Sequence, residues 1–502
     1  MTSLRYRRQF WRTAAVLCAA VHGVIGAQQP APAADAGLDS LLNARVNAAS
    51  KYEQRVVDAP ASVTILTADE IRQFGYRNLQ DALESVRGFY VSNDRNYPYL
   101  GARGFSRPTD YNNRILVLVD GHTLNEQVWG SAPVGGDLPI NLDAVERIEI
   151  VRGPGSVLYG TNAVFGVINI VTKTVATLDG VQVSARGGSG RSREAGMAAA
   201  GTLAPHLTFS GSALLSRTDG GRLYYPEYDD PSTNFGIVNG LDWERANGAL
   251  GSVQWREVGV RGGFRSRAKG IPTGAYGTVF GDPRTQTVDD NKWAELYASH
   301  LYAGTVRLST RLYTDQYRYH GAYPVDTGSS PGDRGASTAV GGEAIVVWDP
   351  TSRDRLTVGS EYRRALRVLY DEVAADGSYD RASAAFTNGS LFAQNELQLA
   401  TALSLVTGAR LDATTRAATS FTPRLALIGT PDARTSVKLL YGEAFRAPSP
   451  SEKDYDTPIY YVSNPALQPE RIKTAEVELQ RRVRDGVLVS ASAYHNDISN
   501  LI

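Results

Sequence analysis

The stretch Leu403-Ser404-Leu405-Val406-Thr407-Gly408-Ala409-Arg410-Leu411-Asp412 decides the reading of the fold. Leu403, Leu405, Thr407, Ala409 and Leu411 alternate with Ser404, Gly408, Arg410 and Asp412, a period of two that gives a strand one apolar and one mostly polar face. Outward from it, Val306, Leu308, Thr310 and Leu312 alternate with Arg307, Ser309 and Arg311, and Val487, Val489, Ala491 and Ala493 with Leu488, Ser490, Ser492 and Tyr494. Counting such runs gives about fifteen strands, at 181–189, 193–202, 206–217, 244–256, 258–267, 289–303, 304–318, 337–348, 353–367, 383–398, 400–412, 421–429, 434–443, 470–482 and 486–498. Strands of ~9–11 residues or more are the length that crosses a bilayer as a barrel, whereas soluble sandwiches use strands of ~5–6. Short turns such as Gly190-Arg191-Ser192 and Ala303-Gly304 alternate with long links such as 218–243, 268–288 and 319–336, which puts the long loops on one side. The pattern predicts a mainly β protein, a transmembrane antiparallel β-barrel.

The amino terminus reads as an export signal over 1–27: Arg5, Arg7, Arg8 and Arg12 precede an apolar run from Ala14 to Ile25, and Gly26-Ala27 offers a small-residue cleavage site. No later stretch is apolar for the ~18 residues that a membrane helix needs. The single cysteine, Cys18, lies inside that signal, so thiol chemistry and cysteine-based metal sites are excluded from the exported chain. Lys+Arg 52 against Asp+Glu 52, without long runs of one sign, offers no basic face for a nucleic acid.

Between the signal and the strands lies a segment of different periodicity, 59–173. Ser62 to Leu66 alternate as a short strand, and Thr67-Ala68-Asp69-Glu70 is a capping box opening a helix that stops at Gly75. Asn78 caps a second helix with a stripe of Leu79, Ala82, Leu83 and Val86 and a stop at Gly88. Ile115 to Val119 is a buried strand, Asp120-Gly121 a hairpin turn, and Val145–Val151 and Val167–Val171 complete a small sheet. Residues 28–58 read as a linker, 59–173 as a compact α/β domain and 174–502 as a barrel portion.

Six phrases of this domain, in order, carry a family resemblance: Ala59-Pro60-Ala61-Ser62-Val63-Thr64-Ile65-Leu66-Thr67-Ala68-Asp69-Glu70-Ile71, Gly101-Ala102-Arg103-Gly104-Phe105, Val117-Leu118-Val119-Asp120-Gly121, Val145-Glu146-Arg147-Ile148-Glu149-Ile150-Val151-Arg152-Gly153-Pro154, Leu158-Tyr159-Gly160-Thr161-Asn162-Ala163 and Gly166-Val167-Ile168-Asn169-Ile170. Together with Tyr441-Gly442-Glu443-Ala444-Phe445-Arg446-Ala447-Pro448, Asn464-Pro465, Leu467-Gln468-Pro469-Glu470 and Glu476, the chain resembles the TonB-dependent outer-membrane receptors. The resemblance implies a barrel of about 22 strands with a plug in its lumen. With only about fifteen strands here, the chain is expected to be C-terminally truncated, with strands 181–189 and 486–498 as unpaired edges. It further implies energy-coupled import at the bacterial outer membrane by a monomer, with three kinds of partner: TonB with the ExbB-ExbD complex, outer-membrane lipid, and a scarce ligand.

The ligand implied first is an iron–siderophore complex, with cobalamin or another large nutrient second and a passive pore or adhesin as the competing class. The TonB contact is expected at Ala44, Arg45, Val46, Asn47, Ala48, Ala49 and Ser50, a flexible piece able to add as a strand to a partner sheet. Arg103 and Arg152 are expected to fork onto barrel-wall carboxylates drawn from Glu443, Glu470 and Glu476. Arg147 reads equally well as a solvated side chain. Candidate ligand contacts are Tyr97, Tyr99 and Trp129 at plug apices and Tyr319, His320 and Tyr460 near long links; most loop tyrosines read as the interfacial girdle. No nucleophile elbow, phosphate loop or metal-ligand spacing is present, so no enzyme activity, cofactor or protein-bound metal is expected.

Overall fold

The computed structural model describes residues 44–107, 109–138, 140–325, 331–374, 377–456, 462–484 and 487–502. The export signal and most of the linker lie outside the described residues, as does Tyr460.

The alternating segments build a 15-stranded antiparallel sheet in which every strand pairs with its neighbours in sequence, from Gly180–Gly188 to Val487–Ser499. Those two strands are its edges, each paired on one side only among the described residues. The alternation is inside-out relative to a soluble protein. In Thr435–Arg446, Lys438 is 0% exposed while Leu439 is 48% exposed, so polar residues face the lumen and apolar ones face outward, where lipid solvates them. Several strands outrun the bilayer. Tyr379–Ala400 has 22 residues, and even tilted by ~45° such a strand rises about 50 Å against a ~30 Å hydrocarbon core. The long links, including 219–243, 271–285 and 447–469, all leave from one end of the sheet. The Gly190-Arg191-Ser192 turn also lies at that end, since Asp219 N donates to Gly190 O at 3.0 Å, and not at the opposite end with Ala303-Gly304.

The domain inside this wall is built on a five-stranded sheet in the order Ser62–Thr67, Val145–Arg152, Gly166–Thr172, Ile115–Val119, His122–Thr123, with one parallel pair, Ile115–Val119 on Gly166–Thr172. Thr67 and Glu70 form the capping box of helix Ala68–Phe74, which ends on Gly75 in the left-handed region. Asp120 and Gly121 both take positive φ, 49° and 84°, the twist that a two-residue hairpin needs. The second helix, Leu79–Glu84, stops earlier than its apolar stripe suggests. Ser85 closes it with its hydroxyl on Ala82 O, and Val86 packs into the core from outside the helix.

Residues 44–58 are not a linker. Arg45–Val46 pairs with Gln54–Arg55, and Val46, Ala48, Ala49 and Val56 are buried in one apolar cluster with Val63, Leu116 and Val167. The expected flexible segment is therefore part of the plug body.

Candidate functional site

The contacts between the inner domain and the wall are made at several places along the barrel. At the short-turn end, wall cations reach backbone carbonyls of the leading segment: Lys438 Nζ donates to Val56 O at 2.9 Å and Ala61 O at 3.0 Å, and Arg424 donates to Pro60 O. Lys51 pairs with Glu343, both side chains buried; burial lowers the Lys51 ammonium from its ordinary range. The backbone N–H groups of Asn47 and Ala48 donate to Glu149 Oε2 at 3.1 and 2.9 Å. Glu149 is fully buried and also pairs with Arg147, so Arg147 is fixed within the plug and not free in solvent.

At mid-height Arg103 Nη2 donates to Glu476 Oε2 at 2.5 Å, with side chains only 5% and 3% exposed. Gly153, beside this guanidinium, takes a φ of 91° that favours glycine. Arg152 has different partners from those expected. It donates to Ser62 Oγ at 2.7 Å and Thr64 Oγ1 at 2.6 Å, and Ser62 passes the link to Glu478 Oε1 at 3.1 Å. The plug's own hydroxyls stand between this guanidinium and the wall, and burial brings it down to about 10. Glu443 is not in the lumen at all. It accepts from Tyr441 on the outer face, because Lys438, Ala444 and Arg446 take the inward positions of that strand and 443 falls on the opposite parity.

Toward the long-loop end Glu470 is clasped by two forks. Arg114 donates to it at 2.6 and 2.9 Å, and Arg446 at 2.8 and 2.9 Å. A plug arginine and a wall arginine thus share one wall carboxylate. Closer to the Lys51–Glu343 pair, His122, at the plug hairpin, lies 3.0 Å from Glu295, which shares Arg311 with Glu343, and 2.9 Å from Asp315, and it stacks on Trp293 at 4.1 Å between centroids. Above them, between the plug's outer face and the wall, is a cavity of about 120 Å³ whose lining includes Trp129, Phe386, Arg363, Arg410 and Arg416.

A folded plug held in a polar lumen by buried ion pairs matches known families over most of the chain. Residues 55–167 match the TonB-dependent Receptor Plug Domain and residues 182–502 the TonB dependent receptor-like beta-barrel. The chain belongs to the TonB-dependent receptor family. Similar proteins include an iron-regulated outer membrane virulence protein of Vibrio cholerae, 26% identical over 90% of this chain and 68% of that protein. A vitamin B12 transporter of Vibrio vulnificus is 34% identical over 29% of this chain and 23% of its own length. A ferric enterobactin receptor structure from Pseudomonas aeruginosa superposes with a TM-score of 0.71 at 18% identity, covering 88% of this chain and 72% of that one, a likeness of fold. The receptor is an outer-membrane protein, and its family is one of transport receptors.

The receptor's expected ligand contacts divide in the structure. Trp129 lines the cavity and meets Tyr317, Tyr319 and Tyr370 edge-on at 6.1, 5.1 and 5.5 Å. Tyr97 is tied to Asp289 at 2.7 Å, and Tyr99, 1% exposed, to Asp94 at 2.7 Å; burial raises both phenols, and both hold the apex hairpin. Tyr319 faces the plug, but His320, one residue on, faces outward, as a period of two requires. Tyr317, Tyr319, Tyr323 and Tyr455 belong to an inward aromatic cluster and not to a lipid-facing girdle. Arg114, His122, Glu149 and Tyr370 escaped the sequence reading. Parity with Tyr319 on its own strand would have found Asp315, whereas no local pattern marks Arg114.

Proposed function

We propose that this receptor imports a ferric siderophore, with TonB and the ExbB-ExbD complex supplying the energy by pulling on the plug. The observation that carries the reading is the cavity on the plug's outer face, where aromatic rings and guanidinium groups converge. That lining, whose Arg363, Arg410 and Arg416 pair with Asp315, Glu361, Asp412 and Asp454, suits a chelate with planar aromatic groups, through stacking and hydrogen bonds from the guanidinium groups. The buried pairs Arg103–Glu476 and Arg114–Glu470 would act as the lock that keeps the lumen shut until work is done on it. Segment 44–50 would be the handle. Its amides at Asn47 and Ala48 are occupied by Glu149, so a partner adding as a strand has first to displace that carboxylate.

The likeness to vitamin B12 transporters supports cobalamin as a second ligand. Uptake of a labelled ferric siderophore and of labelled cobalamin, in a receptor-deletion strain carrying this protein, separates the readings. Ferric siderophore accumulation that vanishes without TonB is the expected result. Accumulation of cobalamin alone would replace the ligand, and leakage of both without TonB would replace the mechanism with a passive pore.

A further inference from the structure

Three adjacent strands, Val306–Ala322, Gly332–Thr351 and Asp354–Val373, bring two rows of inward-facing residues into register near the long-loop end. One row is Tyr319, Gly335, Tyr370 and the next is Gly321, Asp333, Glu372. Each row contains a glycine, and side chains pack into the room that the missing Cβ atoms leave. A Cβ on Gly335 would collide with the Trp129 ring of the plug, and one on Gly321 would collide with Asp333 Oδ1 and Tyr323 Oη. The polar side-chain atoms that Tyr319, Tyr323, Tyr370 and Asp333 bring together here are oxygens. Tyr370 Oη donates to Asp333 Oδ2 at 2.7 Å, the Tyr319 and Tyr323 hydroxyls bond each other, and Tyr319 also faces the Asp333 carboxyl. Tyr455 Oη donates to Glu372 beside them. Asp333 Oδ1 is buried and has no hydrogen-bond partner among the described residues.

We infer that Tyr319, Tyr323, Tyr370 and Asp333 form a binding site for a bare ferric ion. The chemistry of the donors selects the ion. A neutral phenol is a poor ligand for calcium or magnesium, which favour carboxylates, carbonyls and water. A trivalent cation is acidic enough to displace phenol protons, as metals do to other ligands they bind. Each phenolate formed releases one proton, and three phenolates with one carboxylate neutralise the ion's charge with one negative charge left over. Trp129 lies against both Tyr319 and Tyr370, which connects an occupied site to the plug. This site goes beyond chelate uptake and does not depend on which chelate the receptor carries.

Titrating the detergent-solubilised receptor with ferric nitrilotriacetate tests it. The expected result is a visible phenolate-to-iron charge-transfer band with tyrosinate modes in the resonance Raman spectrum, saturating at one iron per chain and accompanied by quenching of tryptophan fluorescence. Tyr370→Phe, which keeps the ring against Trp129, and Asp333→Asn should each weaken binding by well over about tenfold, the loss that follows removal of even a supporting partner of a metal ligand. His320→Ala, on the outward face, should leave it unchanged. Gallium should bleach the band by competition, whereas calcium should not. A receptor that shows no band in excess iron overturns the inference, as does a band that survives Tyr319→Phe with Tyr370→Phe. Either outcome with ferric siderophore uptake intact leaves the proposed function standing.

Discussion

Arg103 makes its contact with the wall from a backbone position that few arginines hold, with φ of 55° in the left-handed region and its amide donating to Gly88 O at 2.7 Å. The strain is held by its side chain, which is fastened to Glu476 and lies over the Tyr494 ring at 4.5 Å. Because both partners are buried, removing one leaves the other charge without compensation, at a cost of about 3–5 kcal/mol, against ~0–1 for an exposed pair such as Arg72–Asp69. Arg103→Ala and Glu476→Gln should each lower plug stability on that scale, read by denaturant titration, while Arg103→Ala with Glu476→Leu should cost less than their sum. A strictly additive double variant would show that the two groups do not act as a pair. Arg72→Ala is the control and should be nearly silent.

Among the elements, the hairpin of Arg45–Val46 with Gln54–Arg55 matters most, because it sits where a pulling partner would take hold. Its seat is Glu149, whose carboxylate accepts two consecutive backbone amides besides Asn169 Nδ2 at 3.1 Å. Hydrogen bonds to a buried charge contribute about 1.5–3 kcal/mol each, so Glu149→Ala should release 44–50 without unfolding the sheet. The expected outcome is faster tryptic cleavage after Lys51, whose ammonium is buried against Glu343 in the wild type. Unchanged cleavage would mean that the apolar contacts of Val46 and Ala48 hold the segment unaided. The sequence marked this element only as a short stretch before the plug. Nothing in Ala44 to Ser50 says that a glutamate about a hundred residues on will cap its amides.

For the whole molecule, the plug is seated by charges withdrawn from solvent, a different physical situation from surface ion pairing. The Debye length falls from ~10 Å at 0.1 M salt to ~3 Å at 1 M, which screens exposed pairs but scarcely touches those with no water between them. Hydrogen exchange of the plug amides should therefore be nearly the same at both salt concentrations, and marked loosening at high salt would show that the seat is wet. The period of two, about fifteen strands, the side on which the long loops lie, the capping box at Thr67 and the hairpin at Asp120-Gly121 can all be read along the chain. All of these are local, set by steric preference and by the contrast between lipid and water on two faces of one strand. Long-range packing decides that Arg103 meets Glu476, that Glu470 is shared by Arg114 and Arg446, that Arg152 bonds Ser62 and Thr64, and that Glu443 and His320 face away from the lumen. Arg103 and Glu476 lie 373 residues apart. Which arginine reaches which carboxylate depends on the register of every strand between them and on how the plug is turned inside the wall, and these are properties of the tertiary packing that no local pattern in the chain encodes.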